Sequence, residues 1–148
     1  MVCLSCKSNE GIKRISPGVQ IFESEYWLVE HAYPCSLEGW LVIVLKRHCE
    51  EFHNLSREEF LELSHVQLAV IKAIHQYFHS EKEYIFCFAE AEGFKHIHFH
   101  VVPKTKDFDT QYQGAKVFHY LKTPKEKCVS QPRIKEICKE LKAIMEKR

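Results

Sequence analysis

The chain has 148 residues, 45% of them hydrophobic and 28% charged. That length suits one domain able to bury roughly two-thirds of its unfolded surface, so stability requires no disulfide framework. Lys+Arg number 21 against 20 Asp+Glu, for a formal charge of +1, which excludes a disordered chain, a collagen-like repeat or an acidic tail and gives no reason to expect a nucleic-acid-binding face.

Residues Met1 to Lys7 lack the apolar stretch of a secretory signal, and the longest apolar run, Trp40 to Leu45, is too short to cross a bilayer. The expectation is a cytoplasmic protein with no membrane partner. In a reducing compartment, the seven cysteines point to metal ligation or plain burial rather than to disulfides.

Val19 to Phe22 and Tyr26 to His31 read as two short strands joined by the polar Glu23-Ser24-Glu25, a hairpin. After a loop over Pro34 to Gly39, the continuous β-branched run Trp40 to Leu45 predicts a central strand buried on both faces. Ser56-Arg57-Glu58-Glu59 has the form of a capping box, and Leu63, Val66, Val70, Ile74 and Tyr77 follow at spacings of three and four, predicting a long amphipathic helix. Tyr84 to Phe88 and Ile97 to Val102 complete the strands, with Pro103 expected to close the last because it has no N–H for a ladder. Ile134, Ile137, Leu141 and Ile144 predict a terminal helix over Arg133 to Lys147. The sum is an α+β domain of antiparallel strands interrupted by one long helix.

His96-Ile97-His98-Phe99-His100-Val101-Val102 alternates imidazole with apolar side chains, and the period of two along a strand turns all three histidines to one face. With ten histidines in the chain, chance supplies roughly 0.05 such runs in a sequence of this length, counted as a template match. A catalytic cluster, a bare metal-binding strand, and a half-buried strand with an imidazole-rich wet face all fit the spacing. Near the N-terminus Cys3-x-x-Cys6 is a short chelate loop able to fill two corners of a tetrahedral Zn²⁺ site, and two further ligands are then required. Cys35, Cys49, Cys87, Cys128 and Cys138 read as packing residues, and His53, His65, His75, His79 and His119 as surface or helix-face residues.

The heptapeptide from His96 to Val102 fits every position of the His-φ-His-φ-His-φ-φ hallmark of the histidine triad (HIT) superfamily of nucleotide hydrolases and transferases, where φ is apolar. The chain resembles that family further in the apolar run Leu41 to Leu45 ending in Lys46-Arg47-His48, and in Asn54-Leu55-Ser56 at the head of the long helix. The likeness covers residues 1–104 of a single domain over 1–148, and leaves 105–148 as an extension with a C-terminal helix. It implies a HIT-like α+β fold with an antiparallel sheet of about five strands, and a homodimer. It implies that His98 attacks the α-phosphate of a dinucleoside polyphosphate or nucleoside phosphoramidate, giving a covalent nucleotidyl-histidine. An imidazole is a competent nucleophile for such a step. His100 would stabilise the charge on phosphate oxygens, and Gly93, His31 and His100 would line the substrate site.

Some HIT branches, the galactose-1-phosphate uridylyltransferases among them, complete an N-terminal cysteine pair with the histidine that ends the buried strand and the first of the triad. By that resemblance the ligands of a structural Zn²⁺ are Cys3, Cys6, His48 and His96. The chain departs from the family pattern at three places. His31 stands where an acid usually holds the ribose, and Glu30 would serve only with a register slip. Trp40 stands where a fourth histidine usually relays protons, and Ala91 to Lys95 replace the usual polar residues before the triad. These departures sustain an alternative reading, a zinc-containing HIT-fold module that binds nucleotide or a partner with little catalysis.

Overall fold

The computed structural model describes residues 2–147, so Met1 and Arg148, the ends of the expected domain, lie outside the described residues. In chain order come α1 (Leu4–Asn9), β1 (Phe22–Glu23), β2 (Trp27–His31), β3 (Leu41–Leu45), α2 (Arg57–Phe78), β4 (Lys82–Phe86), β5 (His98–Lys104) and α3 (Gln131–Glu146), with short 3-10 turns at Phe52–Asn54 and between Thr110 and Lys127. The five strands form one open antiparallel sheet in the order β1-β2-β3-β5-β4. β3 therefore takes the central place that its uninterrupted apolar run predicts.

The predicted long helix is α2, and its capping box is closed on both sides. Ser56 Oγ accepts the Glu59 N–H at 3.0 Å, and Glu59 Oε1 accepts the Ser56 N–H at 2.8 Å. Glu59 also takes both Arg47 Nε–H and Nη2–H at 2.8 and 2.9 Å, so the cap ties the helix to the end of β3. The terminal helix α3 starts two residues earlier than periodicity predicts, because Ser130 caps it and Pro132 occupies its first turn without loss of a needed N–H.

Pro103 does not close β5, which continues to Lys104 with Pro103 opposite Glu83. The physical reason lies in the alternation of an antiparallel ladder. The Leu45 N–H donates to the Ile97 carbonyl, so residues 97, 99, 101 and 103 turn their backbone groups toward β3. At Pro103 that strand has already ended, and no ladder bond is forgone. The proline ring packs beside Gly39, where a Cβ would stand 2.9 Å from Pro103 Cγ.

The register sorts side chains onto two faces. Trp27, Val29, Leu41, Ile43, Leu45 and Val101 pack with Leu63, Val66, Val70 and Ile74 of α2 and with Ile134, Ile137 and Leu141 of α3 in the main core. The other face pairs Glu30 with Val42, Val42 with His100 and His100 with Phe86, and pairs Leu28 with Val44 and Val44 with His98. Over part of that face lies a smaller apolar cluster built on Trp40, Val102, Phe108 and Val117. The segment Gly114–Leu121 covers it, so residues beyond 104 close one side of the site. Among the described residues no helix is long and apolar enough to cross a membrane.

Candidate active site and metal centre

His98 and His100 stand side by side on the open face of β5, with ring centroids 4.9 Å apart. They border a cavity of about 470 Å³ whose lining joins β2, β3 and β5 to α1, to the loop Phe88 to Phe94, and to Phe118, Leu121 and Lys122. The cavity is mostly apolar, with Glu30, His31, His98 and His100 as its polar groups on the sheet.

The hydrogen bonds fix which ring nitrogen of each histidine is available. His98 Nδ1–H donates to the His96 carbonyl at 2.8 Å, leaving the Nε2 lone pair free. His100 shows the opposite arrangement. The buried Trp40 Nε1–H, which can only donate, reaches His100 Nδ1 at 2.9 Å, so Nδ1 accepts and the proton of the neutral ring sits on Nε2. Burial, reinforced by neighbouring His98, pushes the His100 pKa down to about 3, and burial lowers that of His98. Both rings are neutral near pH 7, one offering a lone pair and the other an N–H.

His96 lies just before β5, and its ring turns away from the cavity. Its Nδ1 is 3.5 Å from Cys3 Sγ and 3.4 Å from Cys6 Sγ, and His48 Nδ1 is 3.4 Å from Cys6 Sγ. All four donor atoms lie within 4.8 Å of one another. Tetrahedral Zn²⁺ with Zn–S of about 2.3 Å and Zn–N of about 2.05 Å requires S···N edges of roughly 3.5 Å, so the donor set fits zinc. The outer ring nitrogens agree. His96 Nε2–H donates to the Leu45 carbonyl at 2.6 Å and His48 Nε2–H to Glu50 at 3.1 Å, which leaves Nδ1 of each ring as the ligand atom. Burial and adjacent Cys3 raise the Cys6 thiol to about 11, so in the absence of metal it holds its proton.

The cysteine pair reaches this place on α1, a helix that the sequence pattern does not announce. Cys3 caps it, accepting the Cys6 N–H on sulfur at 3.3 Å. The Leu4 N–H then donates to the Gly93 carbonyl at 2.9 Å, and Gly93, at φ +84°, leaves room for Leu4, whose Cδ1 would be 3.0 Å from a Cβ there. Gly93 thus seats α1 and is not part of the cavity lining. His31 borders the cavity, but both its nitrogens are engaged by backbone: Nδ1–H donates to the Ala32 carbonyl at 2.8 Å and Nε2 accepts the Gly39 N–H at 3.0 Å.

Glu30 needs no register slip to reach the site. It shares the His100 row of the sheet and lines the cavity, held by Arg14 Nη1–H at 3.1 Å. Burial raises its pKa, and the Arg14 charge opposes that rise. Trp40 is the residue that the sequence pattern undervalued. Read as the loss of a relay, it supplies an indole N–H to the same histidine, and the signal was the presence of a one-way donor in the position of a two-way group.

Comparison with known proteins agrees with this fold and places the family. A model of the HIT domain matches residues 13–107, a span that holds the triad, His48 and Glu30 but not the cysteine pair. A Zn-bound histidine triad family protein from Mycobacterium smegmatis superposes with a TM-score of 0.72 at 19% identity, covering 98% of this chain and 94% of that one. A hypothetical histidine triad nucleotide-binding protein from Sulfolobus tokodaii gives 0.74 at 15% identity, covering 98% and 93%. Diadenosine triphosphate hydrolase from Plasmodium falciparum, in complex with Cyclomarin A, gives 0.66 at 12% identity, covering 87% and 77%. No curated protein matches by sequence.

Proposed function

The chain belongs to the HIT domain family, and from that premise we propose that it is a nucleotide hydrolase or nucleotidyl transferase acting at an α-phosphate through His98. The observation that carries this reading is the opposed pair of tautomers. His98 Nε2 bears a lone pair beside the cavity, and His100 Nε2 bears a proton 4.9 Å away between ring centres. A nucleophile next to a preset donor is what attack on phosphorus requires.

In the first step His98 Nε2 forms a bond to the α-phosphorus and the bond to the leaving group breaks. His98 Nδ1–H remains on the His96 carbonyl and steadies the positive charge that the ring acquires. His100 Nε2–H donates to a phosphate oxygen as charge builds there. Water or another acceptor then attacks phosphorus, the N–P electron pair returns to His98, and the proton of the attacking group passes to solvent. Glu30 holds the ribose hydroxyls, His31, tied to backbone by both nitrogens, shapes one wall, and Gly93 acts at one remove by seating α1.

Cys3, Cys6, His48 and His96 hold a structural Zn²⁺, which when bound supplies four ligand bonds that clamp α1 to the approach to β5. A homodimer belongs to the same proposal, supported by edge strand β4, whose Ile85 is 41% exposed. A cytoplasmic setting accords with seven unpaired cysteines.

The test is acid quenching of the protein mixed with dinucleoside polyphosphates and nucleoside phosphoramidates, followed by mass analysis of the intact chain. A nucleotidyl adduct that maps to His98 and is missing from His98→Gln is the expected result. Nucleotide binding with neither adduct nor product overturns catalysis in favour of a binding module.

A further inference from the structure

We propose that Trp40 is a positioning residue that fixes His100 as a donor-only imidazole and thereby restricts the site to substrates whose leaving group departs without a proton. The inference rests on the reading of His98 as nucleophile and narrows the substrate class of that same site.

An indole has one N–H and no nitrogen acceptor. Trp40 is fully buried, and its N–H meets His100 Nδ1 at 2.9 Å. Its neighbours leave the indole no second orientation to adopt at low cost. Phe86 stands edge-on at 5.9 Å and His100 edge-on at 5.6 Å, with Phe118 tilted at 6.3 Å between ring centroids. Phe86 also stacks on His100 at 4.9 Å, so both rings of the hydrogen-bonded pair are clamped.

The consequence concerns protons. For His100 to act as an acid, Nε2 would release its proton to the leaving atom while Nδ1 collected another. Nδ1 faces a group that cannot give up its hydrogen as a proton at any ordinary pH, and an Nδ1–H would point at the indole N–H. A histidine at position 40 would accept and donate in turn, whereas Trp40 blocks the chain at its first link. On the sheet face itself the other candidates are occupied, while Glu90 and Lys122, which line the cavity from outside the sheet, lie exposed to solvent. His98 Nδ1–H is committed to the His96 carbonyl, His31 has both nitrogens on backbone, and Glu30 is paired with Arg14.

The step therefore balances for an acidic leaving group. The His98 Nε2 lone pair forms the N–P bond, the P–O bond to the bridging oxygen breaks, and its electron pair leaves on a phosphate oxygen that is stable as the anion. No proton is taken up. With a nucleoside phosphoramidate the same displacement would expel an amide anion unless the nitrogen were first protonated. The geometry points to nucleotide phosphoanhydrides as substrates and against phosphoramidates of simple amines.

Two measurements on the full-length, zinc-loaded chain decide the matter. Long-range ¹⁵N–¹H NMR, with His100 assigned by its loss in His100→Gln, reads the tautomer in the unmodified protein. Nε2–H is expected, and Nδ1–H overturns the role of Trp40 whatever the activity. Relative kcat/KM for a dinucleoside triphosphate and for the phosphoramidate of a primary amine reads the selectivity. The loss of general-acid assistance predicts a preference for the anhydride on the order of 10³. Trp40→His, which restores an exchangeable proton, should reduce that preference at least tenfold, and Trp40→Phe should leave it high with a mixed tautomer. Comparable rates on both substrates in the unmodified chain overturn the inference. Absence of turnover and of adduct on both, with the Nε2–H tautomer in place, instead overturns the reading of His98 and removes the selectivity with it.

Discussion

The carbonyl of His96 accepts the Nδ1–H of His98 at 2.8 Å, while the ring of His96 faces Cys3 and Cys6 on the far side of the same backbone. One residue thus joins the Cys3, Cys6 and His48 cluster by its side chain and sets the tautomer of His98 by its main chain. Any shift of the cluster moves that carbonyl, and the His98 lone pair turns with it.

This separation of roles predicts different fates for zinc in two neighbouring variants. His96→Ala removes one ligand atom, as do Cys3→Ser and Cys6→Ser, and each should lower zinc content by elemental analysis and lower the melting temperature. His98→Ala should retain one zinc per chain, since its ring takes no part in the cluster. Because metal binding is coupled to folding, chelation should destabilise the chain by several kcal/mol. Full zinc in His96→Ala would remove His96 from the ligand set.

The two remaining histidines of the triad should separate kinetically. His98→Ala deletes the lone pair that attacks phosphorus, so product formation and adduct both vanish. His100→Ala deletes a donor to the phosphate, a loss on the order of 10²–10³ in kcat with the adduct still detectable by acid quench. Activity within tenfold of the parent in His98→Ala would place the nucleophile elsewhere.

Most of the frame was legible because its signals are local. The β3 run, the Ser56 to Glu59 capping box and the alternation after His96 each depend on neighbours in sequence, and each stands where periodicity puts it. The four residues of the candidate zinc site were legible by resemblance, and the structure gathers them. What escaped depends on partners distant in the chain. Six-residue α1 has no apolar period and exists because Cys3 caps it and Gly93 receives it. Pro103 stays in a strand because β3 has ended beside it. Glu30 and His31 differ by one residue, and only the pairing of Glu30 with Val42 and of Val42 with His100 shows which of them shares the face of the triad.

That pairing makes Glu30 the ribose contact to test. Glu30→Ala removes an acceptor for two hydroxyls and leaves Arg14 beside the cavity without its partner. The expected result is a rise in KM of roughly tenfold to a hundredfold for ribonucleotide substrates, with little change for 2′,3′-dideoxy analogues, as the loss of charged hydrogen bonds worth about 1.5–3 kcal/mol requires. An equal loss on both sugars would assign Glu30 a structural part in holding Arg14.

His31 carries the pH dependence of stability that belongs to the fold rather than to the site. It is 1% exposed, and burial holds its pKa at about 4 against 6.5 for a free histidine. In the window between those values the unfolded chain binds a proton that the folded chain refuses, so stability rises with pH there and is lost as pH falls from 6.5 toward 4. Geometry explains the refusal, since a proton on Nε2 would confront the Gly39 N–H that this nitrogen accepts at 3.0 Å. The maximum contribution of one such group is about 1.4 kcal/mol per pH unit. His100, held near 3 by burial, acts in the same direction. His31→Gln isolates the first contribution, because it keeps a polar group at the end of β2 and does not titrate. Urea midpoints at about pH 7, about 5.5 and about 4.5 should show the advantage of the parent over the variant shrinking as the pH falls. An advantage that stays constant across the series would mean that His31 takes up its proton in the folded state, and that the Gly39 contact yields to it.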